Sequence, residues 1–108
     1  MPKASATPET RAIRDLLAAR HLEFEDLLRK YGATSPKLFG SVARGVAHAG
    51  SDIDILVEMD PSDGNLLMRA SGLMEECRSL FGRDVDIFPL QLLRRPVADT
   101  ALVDAVAL

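Results

Sequence analysis

In Ser51-Asp52-Ile53-Asp54-Ile55-Leu56-Val57-Glu58-Met59, Ile53, Ile55 and Val57 recur at every second position, and a period of two is the mark of an extended strand. Ile53, Ile55 and Val57 fall on one face of that strand, Asp52 and Asp54 on the other. The apolar face needs a layer to cover it, so the rest of the chain must supply that layer. Charge on the opposite face is unfavourable for β structure, yet two carboxylates stand there. Their Cβ atoms are expected roughly 6.5–7 Å apart from the strand rise. Carboxylates so placed repel each other unless a cation lies between them. Hard oxygen ligands on one face suit Mg²⁺, which keeps several waters and shares its shell with substrate phosphates. The competing reading is structural, because aspartates at strand ends commonly cap and form turns.

The covering layer is visible in two amphipathic stretches. Thr7 is placed as a helix N-cap, with Pro8 at the first helical position and Glu9 near the positive end of the dipole. Ile13, Leu16, Leu17, Phe24, Leu27, Leu28 and Tyr31 recur at helical spacing up to a stop at Gly32. Arg20 interrupts that stripe and Leu22 lies nearly opposite it, so one kinked helix is preferred over two helices meeting near Arg20–His21. Leu66, Leu67, Ala70, Leu73, Met74, Cys77, Leu80 and Phe81 trace a second amphipathic helix, stopped by Gly82. Pro36 to Phe39 reads as a strand, Gly40 to Gly50 as a loop with one helical turn after Gly40, and Asp84 to Phe88 as a strand ended by Pro89. Asp60-Pro61-Ser62-Asp63-Gly64 is a turn cluster. A helical turn at Gln91–Leu93 and a last helix over about 97–106 complete the chain. The expected fold is α/β (α+β): a three-stranded mixed sheet with helices packed on it, with a flexible segment 1–6 and a single domain over 7–108.

A chain of 108 residues has room for one compact domain. Thirteen basic against sixteen acidic residues give a net charge of −3, which argues against non-specific binding to duplex DNA or an anionic membrane. A phosphate-bearing ligand held through a metal remains open. Apolar runs fall short of the roughly 18 residues of a membrane span, and Met1-Pro2-Lys3-Ala4 begins no apolar leader, so the cytoplasm is the expected compartment. A single cysteine, Cys77, excludes an internal disulfide and a cysteine-based zinc site.

Phe39-Gly40-Ser41-Val42-Ala43-Arg44-Gly45 runs from a strand through a glycine and a serine into a possible helical turn. Glycine allows close backbone approach. Free amides at a helix start bind an anion, the Ser41 hydroxyl adds a donor, and Arg44 offers a positive fork to phosphate oxygens. Alone, this is a tight turn. Followed ten residues later by Asp52-Ile53-Asp54, it sets a phosphate cradle and a metal-binding pair at the two ends of one loop. Asp86, alternating with Val85 and Ile87, joins the pair if the third strand neighbours the second.

Gly40-Ser41-Val42-Ala43-Arg44-Gly45 followed by Ser51-Asp52-Ile53-Asp54-Ile55-Leu56-Val57 resembles the signature of the DNA polymerase β-like nucleotidyltransferase superfamily. More closely, it is similar to the minimal nucleotidyltransferases paired with HEPN-domain toxins, and the likeness runs from about Leu22 to the C-terminus. The resemblance implies a nucleoside triphosphate, ATP, bound with two Mg²⁺ ions, and attack of a hydroxyl on the α-phosphate with loss of pyrophosphate. It implies that Asp52 and Asp54 hold the metals and that Asp86 completes the metal site at the attacking hydroxyl. Gly40 and Ser41 would hold the β- and γ-phosphates, with Arg44 at the phosphates or buttressing the loop. Little chain remains beyond this core, so the acceptor is expected to be a partner: a tyrosine of a HEPN toxin that receives AMP, with this chain as the antitoxin. Two alternatives stay open: neutralisation of the toxin by binding alone, and transfer to RNA or a small molecule at a site formed by a homo-oligomer.

Other polar residues are read as structural. His21 and His48 are solvent-facing or capping residues, Cys77 and Tyr31 are packing residues, and Glu58 is a surface charge. Asp84 caps a turn, and Arg94-Arg95 form a solvated turn.

Overall fold

The computed structural model describes residues 6–61, 64–92 and 105–108. Helix α1 spans Pro8–Ala19 and α2 spans His21–Tyr31. The Thr7 side chain accepts a hydrogen bond from the Thr10 amide, and Gly32 closes α2 in the left-handed region, as the end signals predict. The single kinked helix is replaced by two helices that meet at Arg20, whose backbone leaves helical geometry (φ −108°, ψ 19°). The break lets both apolar stripes reach one core: Ile13 and Leu17 from α1, Phe24 and Leu28 from α2. It also leaves Arg20 exposed, paired with Glu23.

Strand β1 (Ala33–Phe39) is longer than the sequence suggests, because Ser35 (φ +51°) begins a register shift between Thr34 and Lys37 that breaks the alternation. A short helix α3 (Gly40–Arg44) follows directly. Strand β2 runs over Ile53–Met59, α4 over Leu66–Phe81, and β3 over Val85–Pro89, followed by a 3₁₀ turn at Leu90–Leu92. Asn65 caps α4 by accepting from the Met68 amide, and Gly72 admits α2 alongside, since a Cβ there would stand 2.6 Å from the Tyr31 ring.

Among the described residues the sheet has four strands, in the order β3-β2-β1-β4, rather than three. The fourth, β4 (Val106–Ala107), pairs antiparallel with Leu38 and Lys37 at the outer edge of β1. Two residues are too short to carry a periodic signal, and β-ladder pairing is a tertiary property. The sheet is mixed: β1 and β2 are antiparallel, β2 and β3 parallel. Residues 1–5 of the segment 1–6 expected to be flexible, the basic pair Arg94-Arg95 and all but the end of the last helix expected over about 97–106 lie outside the described residues; at that end, Val106 is in a strand.

The helices cover one face of the sheet. Ile53, Ile55 and Val57 of β2 and Val85 and Ile87 of β3 join Leu73, Cys77 and Phe81 of α4 in the core. Cys77 is fully buried there, and burial pushes its thiol up to about 12, as suits a packing residue. The opposite face carries the even-numbered residues of β2 and β3 and Phe39 of β1. On it Phe39 and Phe88 meet edge to face, 5.1 Å between ring centroids, and Leu56 is buried. Among the described residues, no helix is long and apolar enough to cross a membrane.

Candidate active site

The parallel register of β2 and β3 pairs Asp54 with Asp86, and the antiparallel register of β1 and β2 pairs Asp54 with Phe39. Paired positions on neighbouring strands share a face. Asp54 and Asp86 therefore project together from the face opposite the helices. Asp52 stands immediately before β2 and is exposed. Half-buried, with two further carboxylates nearby, the Asp54 carboxyl is pushed from its ordinary 3.8 up to about 6. Burial is the main cause, followed by the charges of Asp86 and Asp52; the Arg44 guanidinium acts in the opposite direction. Asp86, Asp52 and Arg44 thus all act electrostatically on Asp54.

Gly40 closes the other side. Its backbone is left-handed (φ +73°), and a Cβ built on it would lie 2.5 Å from Asp54 Oδ2. Glycine is needed twice over at this position, for the backbone conformation and for the space. α3 starts from Phe39, which makes no side-chain capping bond to it, so its first amides have no side-chain acceptor at that cap. Ser41 sits one residue in. The outer end of α3 is secured by Arg14 of α1, whose Nη2 donates to the carbonyls of Val42 and Ala43 at 3.1 and 3.3 Å.

The loop from α3 to β2 is pinned by the start of α1. Thr7 Oγ1 donates to the Ala47 carbonyl at 2.6 Å, and the buried Thr10 Oγ1 accepts from the Ala47 amide at 3.0 Å. The Thr7 proton being used on Ala47, the 2.8 Å contact between the two hydroxyls must be donated by Thr10. His48 organises the next turn: its Nδ1 accepts from the Gly50 amide, and its own amide donates to Ser51 Oγ. Arg83 then fixes the approach to Asp52, donating from Nη2 to the Ser51 carbonyl at 3.2 Å while pairing with Glu9 of α1. A cavity of about 530 Å³ opens here, lined by Ser51, Asp52, Arg78, Arg83 and Asp84 among others. Asp54, Asp86 and Gly40 are not part of its lining.

Sequence reasoning passed over three residues that hold this arrangement: Arg14, Arg78 and Arg83. Their partners lie 28, 8 and 32 positions away, at Val42, Asp86 and Ser51, and no local spacing announces such contacts. Of the residues set aside as structural, His21 pairs with Glu25 and Tyr31 packs against the core while donating to Glu76, whereas Asp84 lines the same cavity as Asp52.

The donor set meets one test of a Mg²⁺ site and qualifies another. Its groups are carboxylate oxygens, and the charges of Asp86 and Asp52 both raise the Asp54 carboxyl. Among the described residues, however, no three acidic, histidine or cysteine side chains converge closely enough to enclose an ion by themselves. That combination fits Mg²⁺, which is commonly bound through one or two carboxylates, with waters and substrate phosphates completing its shell.

The comparisons with known proteins agree with this geometry. The nucleotidyltransferase domain family model matches residues 23–108. MntA of Thermococcus cleftensis, a protein adenylyltransferase, is 32% identical over 82 residues, spanning 76% of this chain and 81% of that protein. A Methanocaldococcus jannaschii protein assigned as a protein adenylyltransferase is 34% identical over 80 residues, spanning 74% and 84%. Among solved structures, one described as a minimal nucleotidyltransferase superposes with a TM-score of 0.75 at 33% identity, covering 87% of this chain and 94% of that one. A toxin–antitoxin crystallised with AMP-PNP superposes with a TM-score of 0.67 at 25% identity, covering 80% and 69%. The chain therefore belongs to the nucleotidyltransferase domain family, as a transferase of the minimal nucleotidyltransferase kind.

Proposed function

We propose that this chain is the antitoxin of a toxin–antitoxin pair, and that it transfers AMP from ATP to a tyrosine hydroxyl of a HEPN-domain toxin. Residues 7–108 act as one nucleotidyltransferase domain, working in the cytoplasm. The observation that carries the reading is the parallel pairing of Asp54 with Asp86, with Gly40 pressed against Asp54 from the other side. The names of the relatives support it: protein adenylyltransferases, and a toxin–antitoxin holding an ATP analogue.

In this reading Gly40 and Ser41 hold the β- and γ-phosphates, through the first amides of α3 and the Ser41 hydroxyl. Arg44 adds positive charge beside them. Asp52, Asp54 and Asp86 hold two Mg²⁺ ions, which when bound stabilise the attacking and leaving oxygens of an in-line displacement. Asp86 lies across Asp54 from Gly40, so the phosphate cradle and the acceptor hydroxyl take opposite sides of Asp54. The acceptor oxygen bonds to the α-phosphorus as the bond to pyrophosphate breaks, and Asp86 receives the hydroxyl proton. The chain contributes positioning and charge, which is what phosphoryl-type transfer asks of a protein.

The test is transfer of label from ATP to protein, with Mg²⁺ and the co-expressed partner. ATP labelled at the α-phosphate should leave label on the toxin, and ATP labelled at the γ-phosphate none. Asp52→Asn and Asp54→Asn should abolish it. Transfer at the normal rate by either variant overturns the assignment of roles. Neutralisation of the toxin that survives Asp86→Asn would point instead to inhibition by binding alone.

A further inference from the structure

Helix α4 covers the apolar face of the sheet, whereas Asp86 projects from the other face. Arg78, in the last turn of α4, joins the two around the edge of the sheet. Among the described residues β3 is at the edge of the sheet; the Asp84 carbonyl turns inward to the Ile53 amide, so the Val85 carbonyl turns outward. Arg78 Nε donates to that Val85 carbonyl at 3.0 Å, and its Nη2 lies 3.4 Å from Asp86 Oδ1. Its Nη1 is 3.9 Å from Glu75, an exposed and weaker contact. No described residue donates to Asp86 Oδ2.

We propose that Arg78 is a positioning residue for the transfer reaction: anchored on the Val85 carbonyl, it fixes the Asp86 carboxylate through Oδ1 and leaves Oδ2 for the acceptor side of the site. The inference rests on the reading of Asp86 as the acceptor-side carboxylate. An aspartate facing another aspartate across a strand pair is pushed by repulsion to rotate away. A planar guanidinium held at two points opposes that rotation. The pair does little else, since both side chains are more than a third exposed (37% and 36%) and such pairs add little stability. The cation has a second effect of opposite sign, because it competes with a metal for the same carboxylate. With both side chains more than a third exposed, the solvent weakens that competition, and the orienting effect prevails. Hydrogen-bond partners of metal-ligating groups typically contribute about 10–100-fold to metal affinity or activity.

The test uses the intact chain, Mn²⁺ as probe and AMP-PNP as a nucleotide that does not turn over. Free Mn²⁺ is followed by electron paramagnetic resonance, and melting by circular dichroism. Arg78→Gln should melt within a few degrees of the native protein, bind the nucleotide-associated ion normally, and bind the other about 10–100-fold more weakly. In transfer assays kcat should fall with KM for ATP unchanged. Arg78→Lys, which lacks the planar fork that spans both partners, should give an intermediate loss and reports even if the glutamine variant is unstable. On an Asp86→Asn background, Arg78→Gln should change nothing further. Equal or tighter uptake of both ions by Arg78→Gln overturns the inference, as does an undiminished effect on the Asp86→Asn background. Native protein that takes up no Mn²⁺ with AMP-PNP overturns the metal assignment itself, and that result is seen before any variant is made.

Discussion

Replacing Asp54 with asparagine should abolish transfer and, without metal, make the protein more stable at neutral pH. The Asp54 carboxyl is pushed from 3.8 up to about 6 by burial and by Asp86 and Asp52. The folded state therefore binds this proton more tightly than the unfolded chain does. Stability from this group is complete below pH 3.8, declines as pH rises to about 6, and stays low above that. At roughly 1.4 kcal/mol per pH unit the full span is about 3 kcal/mol. Asp54 is only half-buried, so solvent screening reduces the figure, and about 1–1.5 kcal/mol is the working expectation. Asparagine keeps the shape and removes the charge. For a domain of this size the melting temperature at pH 7.5 should rise by about 4–10 °C. The gain should shrink between pH 6 and 4 and vanish below. Thermal melts in chelator across pH 4–8 measure it directly. Adding Mg²⁺ and AMP-PNP should then raise the melting temperature of the native protein and leave the variant where it was. A variant less stable than the native protein at pH 7.5, or a gain independent of pH, would refute the claim that burial and neighbouring carboxylates raise the Asp54 carboxyl in the folded state.

Other expectations follow from the same contacts. Gly40→Ala forces a side chain into left-handed backbone and against Asp54 Oδ2, so it should cost about 1–2 kcal/mol in backbone strain alone and destroy nucleotide binding, read by melting and calorimetry. Thr10→Val leaves the Ala47 amide without its acceptor, and should cost about 1–3 kcal/mol in a urea melt. Cys77, buried with its thiol pushed up to about 12, should resist a thiol reagent at pH 8 until the protein is unfolded; rapid native labelling would contradict the packing.

The carboxylates were legible in the sequence because their signal is local. Alternation placed Asp52 and Asp54 opposite Ile53 and Ile55, and the alternation of Val85-Asp86-Ile87 did the same for the third. That Asp86 neighbours Asp54 depends on which strands pair, and the sequence could state it only as a condition. α4 and its glycine stop were legible throughout, since a strong helical period and a cap agree over Leu66–Phe81. The break at Arg20 and the extension of β1 through Ser35 were hidden, because each is fixed by how the flanking segments pack. β4 gains its hydrogen bonds from β1 alone, and nothing in Val106-Ala107 foretells them. The arginines that brace the site from behind were hidden for the same reason. A guanidinium reaches several ångströms from its Cα, and its partner is whatever the fold brings near.

The account turns on Asp52, Asp54 and Asp86 gathering divalent cations beside the Gly40–Ser41 turn. Crystals grown with Mn²⁺ and AMP-PNP, measured at the manganese absorption edge, test this directly. Anomalous peaks within coordinating distance of the three carboxylates, with the β- and γ-phosphates on the first amides of α3, are the predicted result. Bound nucleotide at another face of the molecule, or manganese absent from these aspartates at saturating concentration, would contradict it.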